Sequence, residues 1–372
     1  MLEKEFEEIK MRLDTFEART IEDLYTEESP LVAQIAVTDE PVPFNRRESL
    51  KYRPIAEGQP WGRLWQSCWI HLTGTVPQSW EGATLAYRIN IGGEGLLFGA
   101  DGEPFFGITN TSYFCPEYLK EYYIARTPAR GGQKIDLWVE GASNGLFGAE
   151  MQHDPHPVRN DQPAGGFNSS IVHIRIARFN EELWHLRFEF KTLHTLLCNY
   201  SFSDYRARKL VTILNNAYCA YRDDPRNAAA ARAVLKEAFA WPALGSALTM
   251  TAVGHAHIDV GWLWPVRESI RKAARTFASQ LELMERYDDY VFGASQPQLY
   301  QFVKDNYPGL YSRIAERVKE GRWELQGGMW VEPDCNITSG ESLVRQFLHG
   351  KNFFKDEFGV DVRNLWIPDV FG

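Results

Sequence analysis

The sequence predicts a multidomain protein: a β-sandwich-like amino-terminal domain, a helical segment, and then the first part of an α/β unit. Three observations carry this reading. The hydrophobic period is two between about residues 61 and 179, and 3.6 between 180 and 245. From 246 onward, short apolar runs alternate with helical stretches, as they do in a parallel sheet or barrel with crossover helices. At 372 residues the chain is also longer than one domain usually is, and its 44% hydrophobic and 24% charged content belongs to a folded chain.

Taken in order, residues 1–60 read as an amino-terminal helix and an extended arm. Phe6, Ile9, Leu13 and Phe16 recur at three and four, giving an amphipathic helix over Glu3 to Arg19. The stretch after it, through Pro41-Val42-Pro43, is punctuated by proline and reads as an arm packing onto a later domain. Residues 61–179 are short alternating runs separated by Gly, Pro and Asp turns, such as Leu64 to Leu72, Thr84 to Ile91 and Lys134 to Glu140, closed by Ser170 to Arg178. Residues 180–245 form the helical segment: Leu183 to Leu197, Tyr205 to Tyr221, and Asn227 to Phe239, ended by Trp241-Pro242. His185 and His194 sit on these helices without partners at ligand spacing and read as packing or surface residues.

Residues 246–372 alternate strand and helix. Expected strands are Ala247 to Val253, Val291 to Gln296, Trp323 to Met329 and Asn364 to Pro368. Expected helices are Val266 to Tyr287, Pro297 to Asn306, Gly309 to Glu320, and Ser339 to Phe358 with Ser339 as N-cap and Gly359 as stop. In such folds chemistry gathers at the carboxyl ends of the strands. His257 and Asp259, Ser295 and Gln296, Glu332 and Asp334, and Asp369 each follow a predicted strand.

The segment around which these residues gather is Gly254-His255-Ala256-His257-Ile258-Asp259-Val260-Gly261-Trp262. Strand alternation points His255, His257 and Asp259 to one face. Imidazole and carboxylate together suit Zn²⁺ or a neighbour such as Co²⁺. By its spacing alone the segment equally suits a satisfied histidine pair, with Asp259 capping the next helix. Asp369, at the end of Trp366-Ile367-Pro368-Asp369, is a third ligand or a nucleophile, or a turn residue if taken alone.

Bulk properties narrow the partners. A net charge of −9 argues against nucleic acid and anionic membrane. The five cysteines (Cys68, Cys115, Cys198, Cys219 and Cys335) are scattered and form no Cys-x-x-Cys pair, which speaks for a reducing compartment and against a disulfide frame. Met1 opens an acidic helix rather than a signal peptide, and no run approaches the ~18 apolar residues of a membrane span. Cytoplasm is the expected location.

With Gly327-Gly328-Met329-Trp330-Val331-Glu332-Pro333-Asp334-Cys335-Asn336 lying between the His-x-Asp-x-Gly-Trp motif and Asp369, the chain resembles glycoside hydrolase family 38, the class II α-mannosidases, and among them the bacterial and cytosolic-type members. The resemblance implies a (β/α)7 barrel and a retaining exo-α-mannosidase acting on α-mannoside oligosaccharides with one Zn²⁺ (Co²⁺ in some members), in a family whose members often assemble as homo-oligomers. Carried over by position, it makes His257 and Asp259 metal ligands, and Asp369 a nucleophile that also binds the metal. It places Asp334 in the sugar pocket, Trp262 beside the terminal sugar, and His255 in support of the ligands. It puts the acid/base and the last metal histidine after the nucleophile, and His349 in mid-helix is a poor substitute. The expectation is therefore an amino-terminal fragment with a truncated barrel and little turnover alone. Two other readings fit the strand-end residues: a metal-dependent deacetylase or amidohydrolase, and a non-catalytic carbohydrate-binding protein.

Overall fold

The computed structural model describes residues 2–109, 120–144, 168–243, 245–262 and 264–371. The chain opens with helices α1 (Glu3–Asp14) and α2 (Phe16–Thr20). Strands β1 (Tyr25–Pro30), β2 (Val32–Thr38), β3 (Arg53–Ile55), β4 (Pro60–Arg63), β5 (Ser67–Thr75) and β6 (Leu85–Asn90) follow. Then come β7 (Glu94–Phe98), β8 (Pro104–Thr109), β9 (Tyr122–Ile124), β10 (Lys134–Ala142), β11 (Asn168–Ser170) and β12 (His173–Phe179). They form a four-stranded sheet in the order β1-β12-β6-β9, a six-stranded sheet in the order β3-β2-β5-β10-β7-β8, and the small pair β11-β4, all antiparallel.

Period-two alternation explains why the larger sheet is buried on both faces. On β5, Cys68, Ile70 and Leu72 enter the core between the sheets, with Leu97 of β7 and Val139 of β10. Their neighbours Trp69, Leu96, Phe98 and Trp138 face the other way and join the core of the α/β unit. The smaller sheet is covered in turn by helices α3 (Glu181–Cys198), α4 (Tyr205–Tyr221) and α5 (Ala228–Phe239), with Ala86, Ile124 and Phe179 in their shared core. Phe6, Leu13 and Phe16 join that core, with Phe16 4.3 Å from Phe190 by ring centroids. Asn180 and Asp204 cap α3 and α4 by accepting backbone N–H groups. The result is four layers: helices, small sheet, large sheet, α/β unit.

The residues read as an arm need correcting. β1, β2 and β3 lie within residues 1–60 and belong to the two sheets. β1 is a polar edge strand (Tyr-Thr-Glu-Glu-Ser-Pro) that exposes most of its length, so it has no apolar alternation to reveal it. Farther along, Val42, Phe44, Leu50 and Tyr52 do pack against the core of the α/β unit, as an arm would.

That unit contains β13 (Gly254–His255), α6 (Val266–Arg286), β14 (Phe292–Ala294), α7 (Pro297–Asn306), α8 (Pro308–Lys319), β15 (Trp323–Leu325) and α9 (Gly340–Phe358). Ser339 accepts the Ser342 N–H at 3.2 Å, and Gly359, at φ 73°, ends α9. The three strands pair in parallel in the order β13-β14-β15; the described residues do not form a closed barrel. Two expected strands are absent. Ala247 to Val253 is exposed and unpaired, with Leu248 and Met250 almost fully solvent-facing, because ladder pairing begins only at Gly254. Asn364 to Pro368 is irregular and is held by side chains: Asn364 Oδ1 accepts the Gly327 N–H at 3.3 Å, and Trp366 bonds His255. Helix α6 lies against β7 and β8, and Gly107 permits the approach, since a Cβ there would meet the Arg275 backbone oxygen at 2.6 Å.

Candidate active site

β13 delivers the first residues of the site. Gly254 bonds Val291 through its N–H at 2.9 Å, and a Cβ at Gly254 would meet the Tyr290 hydroxyl at 2.2 Å, so any other residue there would displace the tyrosine. His255 is then fixed at both ring nitrogens. Nδ1 bonds the Gly293 carbonyl at 2.9 Å, and Nε2 accepts the Trp366 indole N–H at 3.0 Å. A ring so engaged has no lone pair for a metal. It ties β13 to β14 and to the segment three residues ahead of Asp369.

Beyond His255 the ladder stops, yet alternation persists. Ile258 is buried, while His257 and Asp259 emerge together. His257 Nε2 lies 3.2 Å from Asp259 Oδ1 and 3.9 Å from Asp369 Oδ2. Its Nδ1 lies 2.6 Å from Glu332 Oε2, and the Glu332 side chain is only 3% exposed. Glu332 is fixed in turn: Ser295 Oγ–H donates to its other oxygen, and its N–H donates to Gln296 Oε1 at 3.1 Å. Gln296, buried at φ 63°, also donates from Nε2 to the Ile258 carbonyl at 2.8 Å. A non-glycine residue in the left-handed region costs of order 1 kcal/mol or more, and these buried hydrogen bonds hold it there. Three carboxylates thus surround one imidazole. The hydrogen bonds to Asp259 and Glu332 push the His257 pKa up to about 10, against the opposing effect of burial.

Other expected residues lie around this centre. Asp369 is largely exposed. Asp334 is exposed and accepts the Asn336 N–H at 2.7 Å, so it forms a turn and stays outside the hydrogen-bonded group around His257. Its neighbour Cys335 donates its N–H to the Phe371 carbonyl at 3.0 Å, which joins this turn to the Asp369 segment. Trp262 is half-exposed and meets Trp264 edge to face, with centroids 5.5 Å apart. The buried Ser269 Oγ gathers the loop by accepting the Gly261 N–H at 2.9 Å and the Trp264 indole N–H at 3.0 Å while donating to the Asp259 carbonyl.

Two contributions are not assigned by the sequence reading. Glu332 stands out only as a polar residue after a strand, and its hold on His257 spans 75 positions. The sandwich also reaches the site. A cleft of about 240 Å³ is bounded by His257, Ile258 and Trp264 on one side and by Glu94, Lys120, Lys272 and Arg275 on the other. Burial opposes ionisation of Glu94, but Arg275 and Lys272 hold its carboxyl down at about 2.

The donor set fits a divalent cation. Nε2 of His257 faces two carboxylates, while Nδ1–H points at a buried third, the arrangement that orients metal-binding imidazoles. One nitrogen and two oxygens suit Zn²⁺, and Co²⁺ by similarity, with open positions supplied by the exposure of Asp369. The cation would replace the proton on Nε2.

Residues 247–372 match the model of the glycosyl hydrolases family 38 N-terminal domain. Residues 29–187 match an alpha-mannosidase jelly roll domain, which thus begins well before residue 61. The chain is 34% identical to human Alpha-mannosidase 2C1 over 90% of its own length and 31% of that protein's. It is 32% identical to Alpha-mannosidase G of Dictyostelium discoideum over 87% of its length and 29% of the relative's. With the Saccharomyces cerevisiae Alpha-mannosidase the identity is 27%, over 88% and 30% of the two chains. It therefore spans about a third of the length of the relatives it matches. With an alpha-mannosidase jelly roll domain followed by the family 38 N-terminal domain, the chain is identified as the amino-terminal portion of a glycoside hydrolase family 38 sequence.

Proposed function

We propose that the whole protein is a retaining exo-α-mannosidase that removes terminal α-mannosyl residues from oligosaccharides, and that its α/β unit is the opening of a (β/α)7 barrel. The observation that carries this is the convergence of Asp259 and Asp369 on Nε2 of an imidazole clamped by buried Glu332. It supports a Zn²⁺ or Co²⁺ that His257, Asp259 and Asp369 would hold and that would supply Lewis-acid stabilisation of the charge in the oxocarbenium-like transition state. Asp369 attacks C1 to form a covalent glycosyl-enzyme, while a carboxylic acid about 5–5.5 Å away protonates the departing oxygen; water, deprotonated by the same group, then releases mannose. Glu332 keeps the His257 ring turned so that Nε2 faces the two carboxylates. His255, through Trp366, holds the segment that carries Asp369. Trp262 and Trp264 offer an apolar wall to the sugar face, and Asp334 accepts from a sugar hydroxyl.

Among the described residues no helix is long and apolar enough to cross a membrane. The free thiols of Cys68, Cys198, Cys219 and Cys335 support a reducing compartment and hence cytoplasmic oligomannosides as the substrate; finding the native protein outside the cell would overturn that assignment. The test of the function is hydrolysis of p-nitrophenyl α-mannoside by the whole protein, with and without EDTA. Release that stops with chelator and in Asp369→Asn is expected. Activity indifferent to EDTA would remove the metal from the mechanism, and inactivity with Zn²⁺ or Co²⁺ restored would remove the glycosidase. Trapping a 2-fluoro or 5-fluoro sugar on Asp369 separates this chemistry from that of a water-activating deacetylase, which forms no adduct.

A further inference from the structure

We propose that Asp14, His194 and Cys198 form a second cation site, for Zn²⁺ or a similarly thiophilic divalent ion, which clips the end of α1 onto α3. His194 and Cys198 are one turn apart on α3 and so share a face, and Asp14, the last residue of α1, comes down beside them. His194 Nε2 lies 3.0 Å from Asp14 Oδ1 and 3.9 Å from Cys198 Sγ, and the three ligand atoms lie within 4.8 Å of one another. With metal bonds of about 2.0–2.3 Å, tetrahedral ligand atoms stand roughly 3.3–3.6 Å apart. The three atoms need only small rotamer adjustments to reach that spacing.

The chemistry of the set narrows the ion. A thiolate with an imidazole disfavours Mg²⁺ and Ca²⁺ and selects Zn²⁺ or Co²⁺. Asp14 and Cys198 are exposed, so water completes the coordination and the ion enters directly from solvent. His194 is the anchor: its ring stacks on Phe190, with centroids 6.1 Å apart, inside the core that also receives Phe6 and Leu13 of α1. The site lies in the helical layer, with both sheets between it and the site at His257, and it depends on that site for nothing. Its consequence is mechanical. An ion bridging Asp14 to α3 adds its binding free energy to the docking of the amino-terminal helix.

Titration of the chain with Co²⁺ chloride tests the proposal, because a thiolate ligand gives a charge-transfer band that carboxylate and imidazole ligands do not. The band is expected in the parent and in Cys335→Ser and His257→Ala, and absent in Cys198→Ser and His194→Ala. In Asp14→Asn the affinity is expected to fall about tenfold or more. No band, or a band that survives Cys198→Ser, would overturn the site. A second readout keeps the test independent of helix stability: Zn²⁺ chloride should slow alkylation of Cys198 in the parent and not in His194→Ala. Equal rates with and without Zn²⁺ in the parent would contradict it.

Discussion

Two charged regions of this molecule meet at the cleft beside helix α6, and they are built in opposite ways. Where α6 packs on the sandwich, Arg271, Lys272 and Arg275 of α6 and Lys120 of the sandwich meet Glu94 and Glu140 of the sandwich and Glu268 of α6. Arg275 and Lys272 reach Glu94 at 2.9 and 2.7 Å, Arg271 pairs with Glu268, and Tyr307 donates to Glu140 at 3.0 Å. Glu268 and Arg271 are 0% and 1% exposed. On the other side Asp259, Glu332 and Asp369 surround His257 alone, with two of the three carboxylates open to water. The first region supplies its carboxylates with counter-charges of its own and so works as a joint between domains. The second leaves negative charge in excess even when its histidine is protonated, which is the condition for capturing a cation. Similar side chains serve as structure or as chemistry according to whether the chain supplies their counter-charges.

The sharpest break of this contrast is at the exposed carboxylate. In the whole protein Asp369→Asn should lower kcat/KM for an α-mannoside by about 10⁴-fold or more, as loss of a nucleophile does; a loss of tenfold or less would move the nucleophile elsewhere. Next is the joint. Glu268→Ala removes the closest counter-charge of buried Arg271 and should cost about 3–5 kcal/mol in chemical denaturation, whereas Asp369→Ala in metal-free protein should cost under about 1 kcal/mol. Equal costs would erase the distinction. A smaller effect is expected at the clamp: Glu332→Gln should weaken metal binding by about 10–100-fold with little change in fold, measured by competition with a chromophoric chelator.

The contrast also shows in pH dependence. His257 is raised to about 10 in the folded, metal-free protein and titrates near 6.5 when unfolded. Its contribution to stability is therefore complete below about 6.5 and is lost as pH rises toward about 10, because over that window the folded state binds the extra proton. Melting curves of metal-free parent and His257→Gln should converge across this window, and a parent curve parallel to that of the variant would contradict the assignment.

The helices were the most legible part of the sequence, because α3, α4 and α5 each have an uninterrupted apolar period, with caps at Asn180 and Asp204 for the first two and the break at Asp224-Pro225 ahead of the third. The sandwich was legible wherever strands alternate, as β5 and β10 do. β1 was not, since a polar edge strand is defined by its partner β12 rather than by its own residues. Pairing likewise decides what an apolar run becomes: Ala247 to Val253 and Asn364 to Pro368 look like strands but have no ladder partners. At the site, His257 and Asp259 could be placed together because they lie two positions apart, and Asp369 through the strand-end pattern. Glu332 and Lys120 enter through contacts distant in the chain, which no local period encodes.

The most direct test of the charge-deficient site is a Zn²⁺ titration of the chain in a Cys198→Ser background, which silences the cluster on α3, comparing parent, Asp259→Ala and Asp369→Ala. Tight binding by the parent that weakens in both variants, with one proton released from His257 per ion bound, is the expected result. Binding that ignores both carboxylates, or none in the parent, would contradict the assignment of His257, Asp259 and Asp369 as a metal centre.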